Sequence, residues 1–536
     1  MNPLEGDTVE GPRASRRDWI GLAVIALPCV LYSMDLTVLN LAVPSLSADL
    51  KPSSSQLLWI VDIYGFLVAG SLITMGTLGD RIGRRRLLLI GAVAFGVTSV
   101  LAAFSRSAGM LIAARALLGL AGATLAPSTL SLIRNMFHDP GQRRVAIGIW
   151  ISSYSAGAAI GPLIGGLLLE RFWWGSVFLV AVPVMVLLLV LGPVLLPEFR
   201  DPEAGRLDLF SAALSLVSVL AVIYGFKGIA QDGLGPLPAL SIAAGIAVGV
   251  VFVKRQRTLA DPLIDLRLFR IPAFSASLAV SSLDFFVAFG SFLFIAQYLQ
   301  LVLGLSPLQA GLWSVPSSVA LIVGSMLTPP IARRVRPAYV MAAGLALSAA
   351  GFGLLTQVDG VSGLAVLVTG FVVFSLGLAP VTTLATDMIV GTAPPERAGA
   401  AAAISETGSE LGGALGIAIL GSIGTAVYRR TIADAVPTGV PPEATKAAQD
   451  TLGGALAVAK GLPGNVGSEL LGAAREAFAR AFDVTAVVSA VIVIAAAIAT
   501  VIWLRHVGVG SESEAALHAA AEELETDEIP VARLSE

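Results

Sequence analysis

Apolar residues run along this chain in blocks of about twenty, each closed by a short polar stretch, from Trp19 almost to Arg505. Wound as a helix, a block of that length rises roughly 30 Å, the thickness of a bilayer's hydrocarbon core. The pattern predicts about fourteen spanning helices, at roughly 19–45, 56–79, 87–104, 109–133, 145–168, 174–196, 208–230, 237–254, 272–302, 308–332, 338–357, 363–390, 399–428 and 483–504.

Two polar interruptions, 197–206 and 255–270, divide these spans into six, two and six. The expected organisation is a cytoplasmic tail over 1–18, a six-helix bundle over 19–196 and an inserted helix pair over 197–257. A second six-helix bundle follows over 258–504, carrying an extracellular two-helix hairpin at 430–481, and an acidic cytoplasmic tail fills 505–536. One internal match supports paired bundles: GDRIGRRRLLLIG at 79–91 can be laid over ARRVRPAYVMAAG at 332–344, each joining the second and third spans of its bundle.

Composition agrees: 56% of the 536 residues are hydrophobic and only 13% charged, which excludes a soluble domain of this length. Lys and Arg collect in alternate loops, at Arg81, Arg84–Arg86, Arg134, Arg143, Arg144, Lys254–Arg270 and Arg333–Arg336, so both termini are expected in the cytoplasm of a multi-pass cell-membrane protein. These are topology signals and give no nucleic-acid footprint. The first block follows Arg13, Arg16 and Arg17 but is too long for a signal-peptide core, so it should stay as a span. Cys29, the single cysteine, permits no internal disulfide and reads as core filling.

The sharpest motif is GTLGDRIGRRR, 76–86, at the cytoplasmic end of the second span. Gly76 and Gly83 allow close approach and a tight turn, Asp80 can accept from a neighbouring helix N-terminus, and Arg81 and Arg84 can pair with acids or lipid phosphate. Together they form a breakable charge latch. Gly157, Gly161 and Gly165 share one helix face, with Pro162 beside them, giving a close-packed and bendable contact; Gly408, Gly412 and Gly416 repeat that stripe on the thirteenth span.

Five acids lie within the spans: Asp35, Asp62, Asp284, Glu406 and Glu410. An ionised carboxylate at a helix centre costs about 2.5–3.5 kcal/mol, so such residues mark a polar cavity or proton path by default. Glu406 and Glu410 are one turn apart; in a low dielectric the two charges repel, so one of them holds a proton that a bound cation would displace. Structural ion pairs or hydrogen bonds to neighbouring helices are the competing role for each acid. Asp208, Asp387 and Glu396, at cytoplasmic helix ends, suit caps and loop pairs. Arg115 is the only basic residue placed inside a span, and Asp35, at a matching depth, is its candidate partner. Of the aromatics near these acids (Tyr32, Trp59, Tyr64, Phe66, Trp150, Tyr154, Phe285, Phe286, Phe289, Trp313), Trp59, Tyr64 and Tyr154 are expected to line the cavity and hold a flat or quaternary cation by ring faces.

The loop at 76–86 resembles the GxLxDRxGRR signature of the major facilitator superfamily. MDLTVLNLAVP (34–44), RALLGLAGATLAPS (115–128) and GAAIGPLIGG (157–166) resemble the first-, fourth- and fifth-helix motifs of its fourteen-helix drug:proton antiporters. Within that family, WIVDIYGFLVAG (59–70) and STLSLIRNMF (128–137) are similar to the QacA- and LfrA-type exporters of quaternary ammonium compounds and cationic dyes.

The resemblance implies an all-α major facilitator fold and a proton-coupled efflux pump for lipophilic mono- and divalent cations. It also implies an antiporter hinge at 157–165, proton coupling through Asp35, Asp62, Arg115 and Glu410, and substrate contact from Asp35, Asp62, Asp284, Glu406, Glu410, Trp59, Tyr64 and Tyr154. Partners would be cationic small molecules, protons and membrane lipid, with no nucleic acid, and the chain is expected to act as a monomer.

No G-x-x-x-x-G-K-[ST] motif occurs, and His138, His506 and His518 sit in loops or the tail, so neither ATP-driven transport nor a membrane enzyme is expected. The proton gradient is the expected drive, with no cofactor. Two other readings stay open: an exporter dedicated to one antibiotic or metabolite, and a non-transporting membrane sensor, which would have no use for intramembrane acids.

Overall fold

The computed structural model describes residues 13–200, 208–259, 262–358, 363–392 and 398–506; Glu396 and the acidic tail lie outside them. Among the described residues, fourteen helices are long and apolar enough to cross a membrane. The first bundle comprises α1 (Arg16–Leu50), α2 (Ser54–Ile82), α3 (Arg84–Ala103), α4 (Ala108–Gly122), α5 (Leu125–Met136), α6 (Pro140–Arg171), α7 (Ser176–Leu179) and α8 (Ala181–Leu195). The inserted pair is α9 (Leu209–Asp232) and α10 (Pro236–Thr258). The second bundle has α11 (Pro272–Gln297), α12 (Pro307–Ala332), α13 (Pro337–Leu355), α14 (Gly363–Gly391) and α15 (Ala398–Ala433), then the short α16 (Pro442–Asp450) and α17 (Leu452–Ala459), and finally α18 (Gly464–Leu504).

Helix starts follow local chemistry. Ser15, Ser53 and Ser306 each cap a helix with the reciprocal partner three residues on, Asp18, Gln56 and Gln309. Two expected spans are broken by proline, which removes an amide donor and crowds the carbonyl four residues back. Pro127 breaks the fourth between α4 and α5 around Ala123, and Pro183 breaks the sixth between α7 and α8 near Leu179.

The expected extracellular two-helix hairpin is built differently. Its second arm is the outer half of α18, whose 41 residues run without proline from outside the membrane to the cytoplasmic end, about 60 Å at 1.5 Å per residue.

Two apolar cores, one per bundle, meet along the midline. A separate small cluster, Phe66, Ile223, Ala414 and Ala418, lies where α9 packs over the seam between α2 and α15. The inserted pair is held to itself by Ser218 Oγ on the Gly245 carbonyl (2.8 Å) and Ser241 Oγ on the Ala221 carbonyl (2.7 Å).

The close approaches between bundles fall in the extracellular half. Gln300 Nε2 donates to the Leu41 carbonyl at 3.0 Å, Gly166 faces the Leu308 backbone, Gly311 faces the Pro162 carbonyl, and Gly421 faces Leu58. The short helices cover that mouth: Ser54 Oγ donates to the Asp450 carbonyl (2.6 Å), Arg429 pairs with the Asp450 carboxylate (3.0 Å), and Gly453 packs on Ser47. Toward the cytoplasm Gly148 of α6 faces open space. The extracellular contacts close the outer mouth between the bundles.

Candidate functional site

The seam between the bundles brings charged groups into the membrane at two places. On α1, Asp35 pairs with Arg115 of α4, whose side chain is only 1% exposed. The Arg115 Nε donates to the Ile60 carbonyl (3.2 Å), and the guanidinium carbon lies 4.6 Å from the Tyr64 ring centre and 5.9 Å from that of Phe178. Gly119 and Gly122 of α4 face Tyr64, so α2 can come close enough to lay its ring on the arginine. Charge, one carbonyl and two ring faces thus compensate a cation that could not otherwise be buried. A small cavity lined by Met34, Phe95, Ser99 and Phe178 flanks Asp35.

From Tyr64 an aromatic path leads to the second bundle. Tyr32 stands 6.1 Å from Tyr64 and 5.8 Å from Tyr154, ring centre to ring centre, and its hydroxyl donates to Glu410 Oε1 of α15 at 2.6 Å. Trp150 packs on Tyr154 (4.9 Å) and donates to Thr129 (3.0 Å). Glu406 lies one turn nearer the cytoplasm. Asp35, Arg115, Tyr64, Tyr154, Glu410 and Glu406 are thus gathered at the seam between the bundles, with Tyr32 as the link.

Asp62, Trp59 and Asp284 stand apart from that group. Asp62 is fully buried and its Oδ2 lies 2.6 Å from Nζ of Lys227 on α9, which is itself 3.6 Å from the centre of the Trp59 ring. This corrects the expectation that Arg115 is the only basic residue within a span: Lys227 lies inside the seventh, five residues before the end of α9. Asp284 is buried inside the second bundle, where Thr382 of α14 donates to its Oδ2 at 2.9 Å. Trp313, on the flank of α12, is 43% exposed.

The glycine stripes fill matching roles. Gly157, Gly161 and Gly165 of α6 face Val30, Met34, Thr37 and Val38 of α1, and Gly408, Gly412 and Gly416 of α15 face Leu278, Ser282 and Phe286 of α11. In each bundle the stripe lets the backbone lie against that bundle's first helix. Pro162 lies within the continuous α6 beside its stripe.

At the cytoplasmic loop, Gly83 turns the chain at φ +109°, and Gly76 faces Pro127. Asp80 does not cap a neighbouring helix, as expected from sequence; it pairs with Arg84 at 2.5 Å across the turn. The acid at the N-terminus of α3 is Glu198, which accepts from the Arg85 amide (3.1 Å). Arg81 is exposed. Asp208 does cap its helix: burial disfavours the charged form, but bonds from the Ser211 hydroxyl (2.5 Å) and amide (3.0 Å) and the Arg255 guanidinium outweigh it and hold the carboxyl below its ordinary range. Asp387 is exposed in the last turn of α14, and no cap from it is seen among the described residues.

Comparison with known proteins agrees with this architecture. The family model described as Major Facilitator Superfamily matches residues 25–417. The chain is 47% identical over 494 residues to the "Multidrug efflux pump LfrA" of Mycolicibacterium smegmatis, covering 92% of this chain and 97% of that protein. It is 38% identical to the "Methyl viologen resistance protein SmvA" of Salmonella typhimurium, covering 86% and 93%, and 33% identical to the "Tetracenomycin C resistance and export protein" of Streptomyces glaucescens, covering 90% and 91%. Among solved structures, a bacterial homologue of the human lysosomal transporter Spinster, inward-facing and unoccupied, aligns with a TM-score of 0.62 at 17% identity over 91% of this chain and 98% of that one. With fourteen apolar helices among the described residues, the family match and the efflux-pump relative make this a multi-pass membrane transporter. The chain belongs to the Major Facilitator Superfamily.

Proposed function

We propose that this protein is a multidrug efflux antiporter that exports lipophilic mono- and divalent cations in exchange for protons by alternating access. One arrangement carries the reading: Glu406 and Glu410, one turn apart, lie at the seam between the bundles beside Tyr32, Tyr64, Tyr154 and Trp150. Carboxylates among ring faces suit a flat cation that offers no hydrogen bonds. Methyl viologen, named for a 38% identical relative, is such a dication.

A cation entering from the cytoplasm would meet these acids first and drive off their proton. A proton arriving from outside after the bundles rock would displace the cation in turn, because proton and cation compete for the same charge. In this reading Asp35, paired with Arg115, carries the proton within the first bundle, and the glycine stripes allow α6 and α15 to shift against α1 and α11.

Proteoliposomes made acid on the side that faces the protein's extracellular end, the sense that drives export, should transport a cationic dye. Proton movement should be coupled to it, and Glu406→Gln and Glu410→Gln should weaken divalent cations more than monovalent ones. Transport that ignores the gradient would overturn the coupling. The relative named for tetracenomycin C keeps a dedicated antibiotic exporter as the second reading. A growth-inhibition panel of quaternary ammonium compounds, dyes and that antibiotic separates the two.

A further inference from the structure

Lys227 has no role in the scheme above, yet it is among the most deeply buried charges in the protein. Its side chain is 1% exposed and that of Asp62 is 0%. The ammonium sits between a carboxylate oxygen at 2.6 Å and the face of an indole at 3.6 Å from the ring centre. The approach to Asp62 is close but not aligned as a hydrogen bond, so charge and ring face hold the group, not a directional donor geometry. A carboxylate and an indole face around a positive charge is also the recognition chemistry of a cation without N–H donors.

We propose that Asp62 and Trp59 form a second cation site whose resident occupant is the tethered ammonium of Lys227, and that an organic monocation binds there by displacing it. Three features support an exchangeable occupant. Lys227 is supplied by the inserted helix α9, which lies over the seam between α2 and α15 and belongs to neither core. It is five residues from the end of α9 at Asp232, about 7.5 Å along the axis, so its four-carbon stem can carry the ammonium to the outer interface. The swap also leaves Asp62 compensated throughout, which avoids the several-kcal/mol penalty of a bare buried carboxylate. Occupancy by substrate would then free α9 from α2 at the seam where the bundles must part.

This inference rests on the cation-export reading, and the test separates the two. Full-length protein in detergent is titrated with tetraphenylphosphonium by calorimetry: first wild type, then Lys227→Met, Lys227→Arg and Lys227→Met/Asp62→Asn, each in a Glu410→Gln background that weakens the Glu406 and Glu410 site. Removing the competitor should tighten binding about tenfold, a shift of about 1.4 kcal/mol. Lys227→Arg should give no gain, and the double change should abolish the gain while keeping the fold, since both charges leave together. In wild type, saturating probe should raise the reactivity of Lys227 toward an amine reagent, mapped by mass spectrometry with Lys254 as reference. Wild-type protein that does not bind the probe overturns the export reading. Binding by wild type with no gain in Lys227→Met, or with Lys227 labelling unmoved, overturns the second site and leaves Lys227 a staple for α9.

Discussion

Tyr32 of the first bundle donates its phenolic hydrogen to Glu410 of the second across 2.6 Å, joining two residues 378 apart in sequence. Because it spans the bundles while the outer mouth is closed, this bond should favour the inward-facing state. A hydrogen bond of this kind is worth about 0.5–1.5 kcal/mol net, so Tyr32→Phe should raise the outward-facing population about two- to tenfold. The native Cys29 is buried, so a cysteine placed at Thr425, in the outer cleft, can report opening to an impermeant maleimide. Labelling should be faster in Tyr32→Phe and no faster again in Tyr32→Phe/Glu410→Gln. Equal labelling in wild type and Tyr32→Phe would remove this bond from the conformational balance.

Asp35→Asn should keep the fold and lose proton-driven efflux. The asparagine still offers Arg115 an acceptor, and the Ile60 carbonyl and the Tyr64 and Phe178 rings still hold the guanidinium. Asp35→Ala leaves a buried arginine without its carboxylate, a loss of about 3–5 kcal/mol. Thermal unfolding in detergent should rank wild type, Asp35→Asn and Asp35→Ala in falling order, with dye efflux absent from both variants. Wild-type efflux from Asp35→Asn would take this acid out of the proton path.

How much of this could be read from the chain depended on how local each signal was. Span number and the Asp35–Arg115 pair were legible, the latter because an acid and a base at matching depth have few other partners. Lys227 was missed because a lysine five residues before a helix end reads as a boundary residue; its partner, 165 residues earlier, is reached only after an inserted helix folds back onto the seam. Tyr32 was one aromatic among ten. Glu198 sat in a stretch read as a linker, and nothing nearby announces that it caps α3. The continuous α18 was split because its outer half is more polar and begins with glycines, although it contains no proline.

The stripe on α6 should tolerate no side chain. A Cβ at Gly161 would meet Thr37 and Met34 of α1, whereas one at Gly148, on the same helix, meets nothing. Gly161→Val should therefore cost about 1–3 kcal/mol by overpacking and slow transport. Gly148→Ala should be neutral or stabilising by up to about 1 kcal/mol, since alanine suits a helix interior better. Thermal unfolding and dye efflux measured on both decide it; equal effects would argue against a close-packed α1–α6 contact.

Asp208 ties the inserted pair together at the cytoplasmic end through the α9 cap and Arg255. Its folded carboxyl lies below the ordinary value, so its contribution is fully present above the unfolded value, about 3.9, and is lost as pH falls through the folded value. Asp208→Ala should lower the melting temperature at neutral pH by an amount corresponding to about 1 kcal/mol or somewhat more. The gap from wild type should narrow as the pH drops below about 3.9. A gap independent of pH would mean that the carboxylate charge contributes nothing.

Asp450, on the cover over the outer mouth, has the opposite sign. Burial pushes its carboxyl above the ordinary value, and Arg429 and Lys446 only partly reverse this. A group so shifted favours the docked state as pH falls through its folded value, and its ionised form is tolerated above that value because Arg429 lies 3.0 Å away. Arg429→Gln should therefore loosen α16 and α17 at neutral pH and restore their docking in acid, when Asp450 no longer needs a cation. The Asp450 carbonyl, held by Ser54 at 2.6 Å, and the Ala448 carbonyl, held by Tyr428 at 2.7 Å, remain to seat the segment. Amide-exchange protection factors across 442–459, compared at about pH 7.5 and about pH 5, should fall in the variant only at the higher value. Loss of protection at both would show that Arg429 holds the cover by packing and not by charge.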